Sequence, residues 1–132
     1  MAKGQSFLNE PDNTARGLIR HLHIVITEPD EDNNVLVVPV CTYREKDGKP
    51  YQGQDSSCIL NAGCHSFVKN KSYIRYSNAK AMSLADIFNG LQRGRLTKQP
   101  DFSVSIIQDI QRGAEESFFL PIKFKRFFNY FL

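Results

Sequence analysis

The sequence predicts an α+β fold in which a small antiparallel β-barrel precedes a group of C-terminal helices. Up to residue 82 the β-branched and aromatic residues form short runs separated by turn formers, as in strands, whereas from residue 83 the apolar residues recur at helical spacing. Because strands and helices do not alternate, we expect a strongly bent antiparallel sheet with the helices at one end. The 132 residues suffice for a single domain, with a loosely structured lead-in (1–18), barrel strands (19–82) and a helical part (83–132).

Two strands around an acidic turn form the centre of the predicted sheet. The first, Arg20–Thr27, alternates two sets of side chains, and the second, Val35–Cys41, is an almost unbroken apolar run. The connection over residues 28–34 carries four acids and several turn formers, which a core would exclude. If the strands pair antiparallel, the start of one lies beside the end of the other. One rim of the sheet would then collect the polar residues that flank the two strands: His21, His23, Thr42, Tyr43 and Arg44.

Further strands are predicted beyond a long polar loop. Residues 43–57 contain two glycines, a proline and little apolar content, and a loop of this length in a compact domain is usually functional or mobile. Short strands are expected at Cys58–Leu60 and His65–Val68. The alternating pattern of Ser72–Met82 predicts one longer strand before the helices begin.

Three helices are expected after residue 83. The first begins at the capping box Ser83–Asp86 and ends near residues 90–94. The second begins after residue 101 or 103 and ends at Gly113. The third, over residues 118–132, carries a stripe of phenylalanines beside three basic residues, and we expect it to pack on the barrel or on a second subunit, with a membrane surface as the lesser alternative. The stripe consists of Phe124, Phe127, Phe128 and Phe131.

Composition and charge limit which partners and which cellular compartment are expected. No apolar run approaches the roughly 20 residues that a membrane-spanning helix needs, and the N-terminus has no signal-peptide pattern. We therefore expect a cytoplasmic protein with no membrane partner, in which Cys41, Cys58 and Cys64 are free thiols. The net charge is +3, and between residues 42 and 82 seven bases stand against three acids. This bias is compatible with a polyanionic partner, although a solvated basic face is its commoner meaning.

Several stretches resemble the PemK/MazF family of toxins from bacterial toxin–antitoxin pairs, over roughly residues 18 to 126. They are Arg20–Ile26, Val35–Thr42, Cys58–Leu60 with Gly63–Phe67, Ser72–Lys80 leading into the capped helix at Ser83, and Ile110–Arg126, which resembles the tail of a PemK-like branch. The resemblance implies an SH3-like barrel and a homodimer. It also implies an endoribonuclease that cuts single-stranded RNA without a metal or other cofactor, held in check by an antitoxin protein.

The resemblance also implies roles for particular residues. Typical members have a catalytic arginine that opens a strand, and the matching position here is His21, with Arg20 beside it. The catalytic threonine that closes the next strand matches Thr42, and an arginine that some members use in a later strand matches Arg75. A following glutamine-x-arginine is replaced by Asn78-Ala79-Lys80.

Elementary chemistry supports these assignments. Metal-free RNA cleavage needs a base for the 2′-hydroxyl proton, an acid for the leaving oxygen and cations around the phosphate. Histidine titrates near neutral pH, and the arginine fork matches two phosphate oxygens. We therefore assign His21 as acid or base, Arg75 as a phosphate contact and Thr42 as an orienting hydroxyl. The other candidate substrate-binding residues are Arg20, His23, Arg44, His65, Tyr73 and Lys80.

Each assignment has a structural alternative. His21 and His23 are also expected as satisfied polar residues at a sheet edge, and Thr42 as an ordinary strand-end residue. Arg75 is compatible with a cross-strand charge. His65 is compatible with a brace for the turn after Gly63, and Tyr73 with plain packing.

Two other functions remain open. One is a non-catalytic barrel that binds nucleic acid or protein and has lost the cleaving arginine. The other is a zinc-braced domain, since histidines and cysteines are zinc ligands, but no CxxC or paired motif is present and we assign no metal site. The residues of suitable type are His21, His23, Cys58, Cys64 and His65. The sequence has no Walker loop, GxSxG or dinucleotide fingerprint, so nucleotide-dependent enzymes and serine hydrolases are not supported.

Overall fold

The computed structural model describes residues 3–14 and 17–128 of the chain. Within them it has eleven strands, two α-helices and two short 3₁₀ helices. The strands are β1 (Ser6–Leu8), β2 (Asp12–Thr14), β3 (Gly17–Ile19), β4 (Leu22–Val25), β5 (Asn34–Thr42), β6 (Glu45–Lys46), β7 (Lys49–Pro50), β8 (Ile59–Leu60), β9 (Ser72–Ile74), β10 (Lys80–Ser83) and β11 (Thr97–Gln99). The helices are α1 (Leu84–Gln92) and α2 (Val104–Glu116), with 3₁₀ helices at Tyr76–Asn78 and Ile122–Phe128.

The main sheet is antiparallel and centred on β5. Its order is β11-β1-β4-β5-β9-β8, and β10 pairs with β5 as well. Val40 of β5 lies opposite Leu22 of β4 and Ile74 of β9, while Val37 lies opposite Val25 of β4 and Lys80 of β10. β9 and β10 therefore follow one another along the same edge of β5, antiparallel to it. The predicted α+β class, an antiparallel sheet followed by helices, is confirmed; within the described ranges no pairing joins the end strands β11 and β8 into a closed barrel.

Alternation of side chains divides the core between the two faces of the sheet. On one face Leu22, Ile24, Val38 and Ile74 form the larger cluster with α2 and the C-terminal 3₁₀ helix. On the other face a smaller cluster packs against Ile87 of α1, and its strand residues are Phe7, Val25, Val35 and Val37. Among the described residues, helices therefore cover both faces of the sheet, and α1 is the helix that covers the second face.

Three regions differ from the prediction, namely the lead-in and two of the predicted strands. Residues 1–18 are not simply a loose lead-in, since β1 pairs with β4 on one side and β11 on the other and its residues are buried. Residues 65–68 form a turn closed by a hydrogen bond from Val68 N–H to the His65 carbonyl (2.9 Å). The stretch 72–82 is broken by a 3₁₀ turn because Tyr76 turns inward, where its hydroxyl donates to the Ile110 carbonyl at 2.5 Å. Short strands with distant partners carry too little local pattern to be recognised.

The helical part agrees more closely with the prediction. Ser83 Oγ accepts from Asp86 N–H at 3.1 Å and begins α1, and Ser103 Oγ accepts from Ile106 N–H at 3.4 Å and begins α2. α2 continues through Gly113 to Glu116 instead of ending there. The last segment is a 3₁₀ helix in which Phe124 and Phe127 are buried and Phe128 is half-buried, while Phe131 lies outside the described residues. None of the described helices is long and apolar enough to cross a membrane.

Candidate functional site

A cavity of about 630 Å³ opens at the end of the sheet where β5 finishes. Its walls come from the residues before β4, the end of β5, β9 and the loops around residues 51–54 and 67–70. Six of the nine predicted site residues line it: Arg20, His21, Thr42, Arg44, Tyr73 and Arg75. Of the five residues predicted to share one rim, His21, Thr42 and Arg44 line this cavity, whereas His23 and Tyr43 do not.

Strand pairing explains why residues so distant in sequence meet here. β4 and β5 are antiparallel, so the residues just before Leu22 lie beside those just after Val40. The His21 N–H donates to Asn9 Oδ1 at 2.8 Å, which holds the chain in place as it enters β4. On the other side Thr42 lies opposite Ser72 in β9. The cavity follows from the hairpin that the sequence predicts, together with the strand β9 that pairs with it.

A second, smaller cavity of about 240 Å³ adjoins the first. Both cavities are lined by His21, Cys41 and Arg75, which therefore form their common boundary. His23 and Lys80, two further predicted substrate-binding residues, line only the smaller cavity. The other residues that line it are Asn9, Pro39 and Asn78. His23 is 6% exposed, and its ring stacks on Phe7 with the centroids 5.6 Å apart.

The smaller cavity lies on the face of the sheet that α1 covers only in part. Along β5 the residues of this face are Val35, Val37, Pro39 and Cys41, and they change from fully buried to half-buried. The first two pack under α1, and the last two line the smaller cavity. Arg75 is held at the same end, because its N–H donates to the Pro39 carbonyl at 3.1 Å. One face thus passes from apolar core to polar site.

The charged side chains that line the two cavities are all of one sign. Among the described residues that line them, five are basic and none is Asp or Glu; the basic residues are Arg20, Arg44, Lys69, Arg75 and Lys80. Burial raises the pKa of the Cys41 thiol, with the Arg75 charge opposing that shift. Burial likewise raises the pKa of the Tyr73 phenol. Both groups stay neutral at pH 7, so they add no negative charge to a surface that favours anions.

The long loop after β5 supplies one wall, and hydrogen bonds hold it in shape. Gln54 clamps it: Arg44 N–H donates to Gln54 Oε1 at 2.7 Å, and Gln54 Nε2 donates to the Arg44 carbonyl at 2.9 Å. The buried Asp55 carboxylate accepts from the hydroxyls of Ser57 (2.5 Å) and Ser117 (2.6 Å), tying the loop to the end of α2. The loop is therefore ordered, and it delivers Arg44 to the cavity.

His65 is the one predicted site residue that lines neither cavity. It is buried, its ring stacks on Phe102 with the centroids 4.2 Å apart, and its Nδ1 accepts from Phe67 N–H at 3.0 Å. Nε2 lies 2.6 Å from the Pro100 carbonyl and therefore carries the proton that it donates there. Both ring nitrogens are used within the fold, so the predicted substrate contact is not supported and the alternative of a brace is.

Sequence reasoning did not single out several residues of the larger cavity. Tyr51, Gln52 and Gln54 come from the polar loop, and Phe67, Lys69 and Asn70 come from the turns before β9. An aromatic residue inside a long polar loop was the one signal that could have identified Tyr51. The others are brought into the cavity by tertiary contacts such as the His65 brace.

The chemistry available at this site is that of cations, histidines and hydroxyls. Within residues 3–14 and 17–128, no three His, Cys, Asp or Glu side chains are grouped so as to hold a metal ion. The common boundary of the two cavities carries the side chains of His21, Cys41 and Arg75. The chain matches no known family model, and no curated protein matches it significantly.

Proposed function

We propose that this protein is a metal-independent endoribonuclease that cuts single-stranded RNA, a toxin of the PemK/MazF kind neutralised by an antitoxin. The observation that carries the proposal is the pair of adjoining cavities lined by five basic residues and no carboxylate, with His21 and Arg75 at their boundary. An RNA strand is a polyanion that a surface of this kind attracts. An SH3-like form of the bent sheet, a homodimer and a cytoplasmic site of action belong to the same proposal.

The proposed reaction is attack by the 2′-oxygen on the neighbouring phosphorus, with the P–O5′ bond breaking as the P–O2′ bond forms. The products are a 2′,3′-cyclic phosphate and a free 5′-hydroxyl. The 2′-hydroxyl proton must leave and the 5′-oxygen must gain one, and His21 is the side chain assigned to one of these transfers. Arg75 is assigned to the phosphate oxygens, with Arg20 and Arg44 available beside it, because charge accumulates there in the pentacoordinate state.

Thr42 has the supporting role of hydrogen bonding to a phosphate oxygen. As consecutive residues of β5, Cys41 and Thr42 point to opposite faces, and Thr42 lines only the larger cavity whereas Cys41 lines both. A phosphate in contact with His21, Arg75 and Thr42 would therefore lie on the larger-cavity side of the boundary. On one side of this phosphate, the RNA chain would then continue past His23 and Lys80.

The test is incubation of purified protein with a long single-stranded RNA in excess EDTA, read on a denaturing gel. Wild type should give discrete fragments ending in cyclic phosphate. His21→Ala should slow cleavage about 100- to 10,000-fold, the usual range for a lost acid or base, and Thr42→Ala and Arg75→Ala should also be slowed. Arg95→Ala serves as the control, because Arg95 is exposed and lines neither cavity.

Intact RNA at high protein concentration would refute the nuclease. Because the basic cavities suffice for binding without cleavage, the second candidate is a non-catalytic module that binds nucleic acid. Retention of intact RNA by wild type, weakened by Arg75→Ala, would favour that candidate.

A further inference from the structure

We propose that the outer part of the larger cavity is a base-binding subsite, formed by the rings of Tyr51 and Phe67 and the amides of Gln52 and Asn70. It would hold the base of the nucleotide next to the phosphate contacted by Arg75. The proposal rests on the proposed function in taking single-stranded RNA as the ligand. It adds the residues that would determine affinity and base preference.

The first observation is that two aromatic side chains from different loops remain exposed in one cavity. Tyr51 is 47% exposed and Phe67 is 41% exposed, and both line the larger cavity. Exposed aromatic area in water is costly and is often kept for a ligand. Flat apolar faces beside cations are what proteins use to stack the bases of single-stranded RNA.

The second observation is that the backbone N–H groups of both aromatic residues are hydrogen-bonded within the fold. Phe67 N–H donates to Nδ1 of His65, whose own ring is fixed by Pro100 and Phe102. Tyr51 N–H donates to the Arg44 carbonyl at 3.0 Å, inside the loop that Gln54 clamps. Because the attachment points are fixed before any ligand arrives, less ordering is needed when a base binds.

The third observation concerns two side-chain amides that line the same cavity as the rings. Gln52 and Asn70 line the same cavity, and their side-chain amides make no hydrogen bond within the part of the chain that the structure describes. The Gln54 amide, in contrast, is fully used by Arg44. A free amide offers both a donor and an acceptor, which is what the edge of a splayed-out base requires.

These observations assign separate roles to the two kinds of side chain. Stacking on the rings is tolerant of sequence and should contribute affinity for every base. Hydrogen bonds from the amides should distinguish one base edge from another. Lys69, which lines the same cavity, would hold a flanking phosphate.

The test uses equilibrium binding of the full chain to fluorescent 2′-O-methyl oligonucleotides of about eight nucleotides, a length within the site sizes of single-strand binders. Four homopolymers are compared in EDTA by fluorescence anisotropy. Without a free 2′-hydroxyl the probes cannot be cut, so binding is measured independently of cleavage. Tyr51→Ala and Phe67→Ala should each weaken binding about 5- to 150-fold. Tyr51→Phe and Phe67→Tyr should keep it, and Phe118→Ala is the control because that fully exposed ring lines neither cavity.

The amide variants test base preference. Gln52→Ala and Asn70→Ala should bring the four affinities closer together, with a smaller effect on the tightest one. All five substituted side chains are exposed, and circular dichroism of each variant confirms that it is folded.

The outcomes separate this inference from the proposed nuclease. If wild type cuts RNA but the ring variants bind and cut as well as wild type, the subsite is wrong and the nuclease stands. If wild type cuts nothing but the ring variants bind the uncleavable probes more weakly, the subsite stands and the nuclease fails. If wild type binds none of the four probes, the subsite is wrong, and the cleavage assay alone decides whether the nuclease stands.

Discussion

The salt dependence of RNA binding tests directly whether the basic residues of the two cavities contact phosphates. Five such residues line them, and each phosphate neutralised on a single strand contributes about −0.7 to the slope of log Kobs against log salt. If each contacts one phosphate, the slope is about −3.5. A fourfold rise in salt should then weaken binding about 100-fold. Removing one contact should make the slope shallower by about 0.7.

The assay is anisotropy with an uncleavable 2′-O-methyl oligonucleotide over a series of KCl concentrations in EDTA. Arg75→Gln should reduce the steepness by about one contact, to about −2.8. Arg95→Gln removes the same charge from outside the cavities and should leave the slope unchanged, so it separates a local contact from net charge. A wild-type slope shallower than about −1, or equal slopes for wild type and Arg75→Gln, would refute the cavity as a phosphate-binding surface.

Three further predictions concern the fold that supports the site. Gly113→Ala in α2 should lower the free energy of unfolding by about 1–2 kcal/mol, since overpacking outweighs the gain in helix propensity; the new Cβ would lie 2.5 Å from the Tyr76 hydroxyl. Urea denaturation measures this, and a stabilised variant would contradict the packing described for α2. Burial raises the pKa of Cys58 to about 11, so the folded chain keeps this thiol protonated after the unfolded chain has ionised. Stability should therefore fall as pH rises from about 9 towards 11, and native Cys58 should react with a thiol reagent more slowly than the half-buried Cys64. Equal reaction rates in the native protein would contradict the burial.

The spacing of apolar and capping residues was enough to predict those elements whose pattern lies within one continuous stretch of sequence. The β4–β5 hairpin and the Ser83 cap of α1 belong to this group. The hairpin also accounts for His21, Thr42 and Arg44 in the larger cavity, because antiparallel pairing places strand start beside strand end. β1 was missed because three residues carry no period, and its partner β11 lies about ninety residues away in sequence. Tyr51 and Phe67 were missed as site residues because loops and the His65 brace place them.

The position of the site follows from the lengths of two elements on the sheet. β5 has nine residues and spans about 30 Å, whereas the nine residues of α1 span only about 13.5 Å. α1 begins beside the start of β5, since Ser83 lies opposite Asn34 and Leu84 N–H donates to the Asn33 carbonyl at 3.0 Å. Whatever its direction, a helix of that length covers less than half of the strand. Beyond α1 this face of the strands carries His23, Cys41 and Arg75 in place of further valines, and Cys41 is half-buried. The short helix therefore both completes the apolar core and leaves the polar end of the sheet open to a ligand.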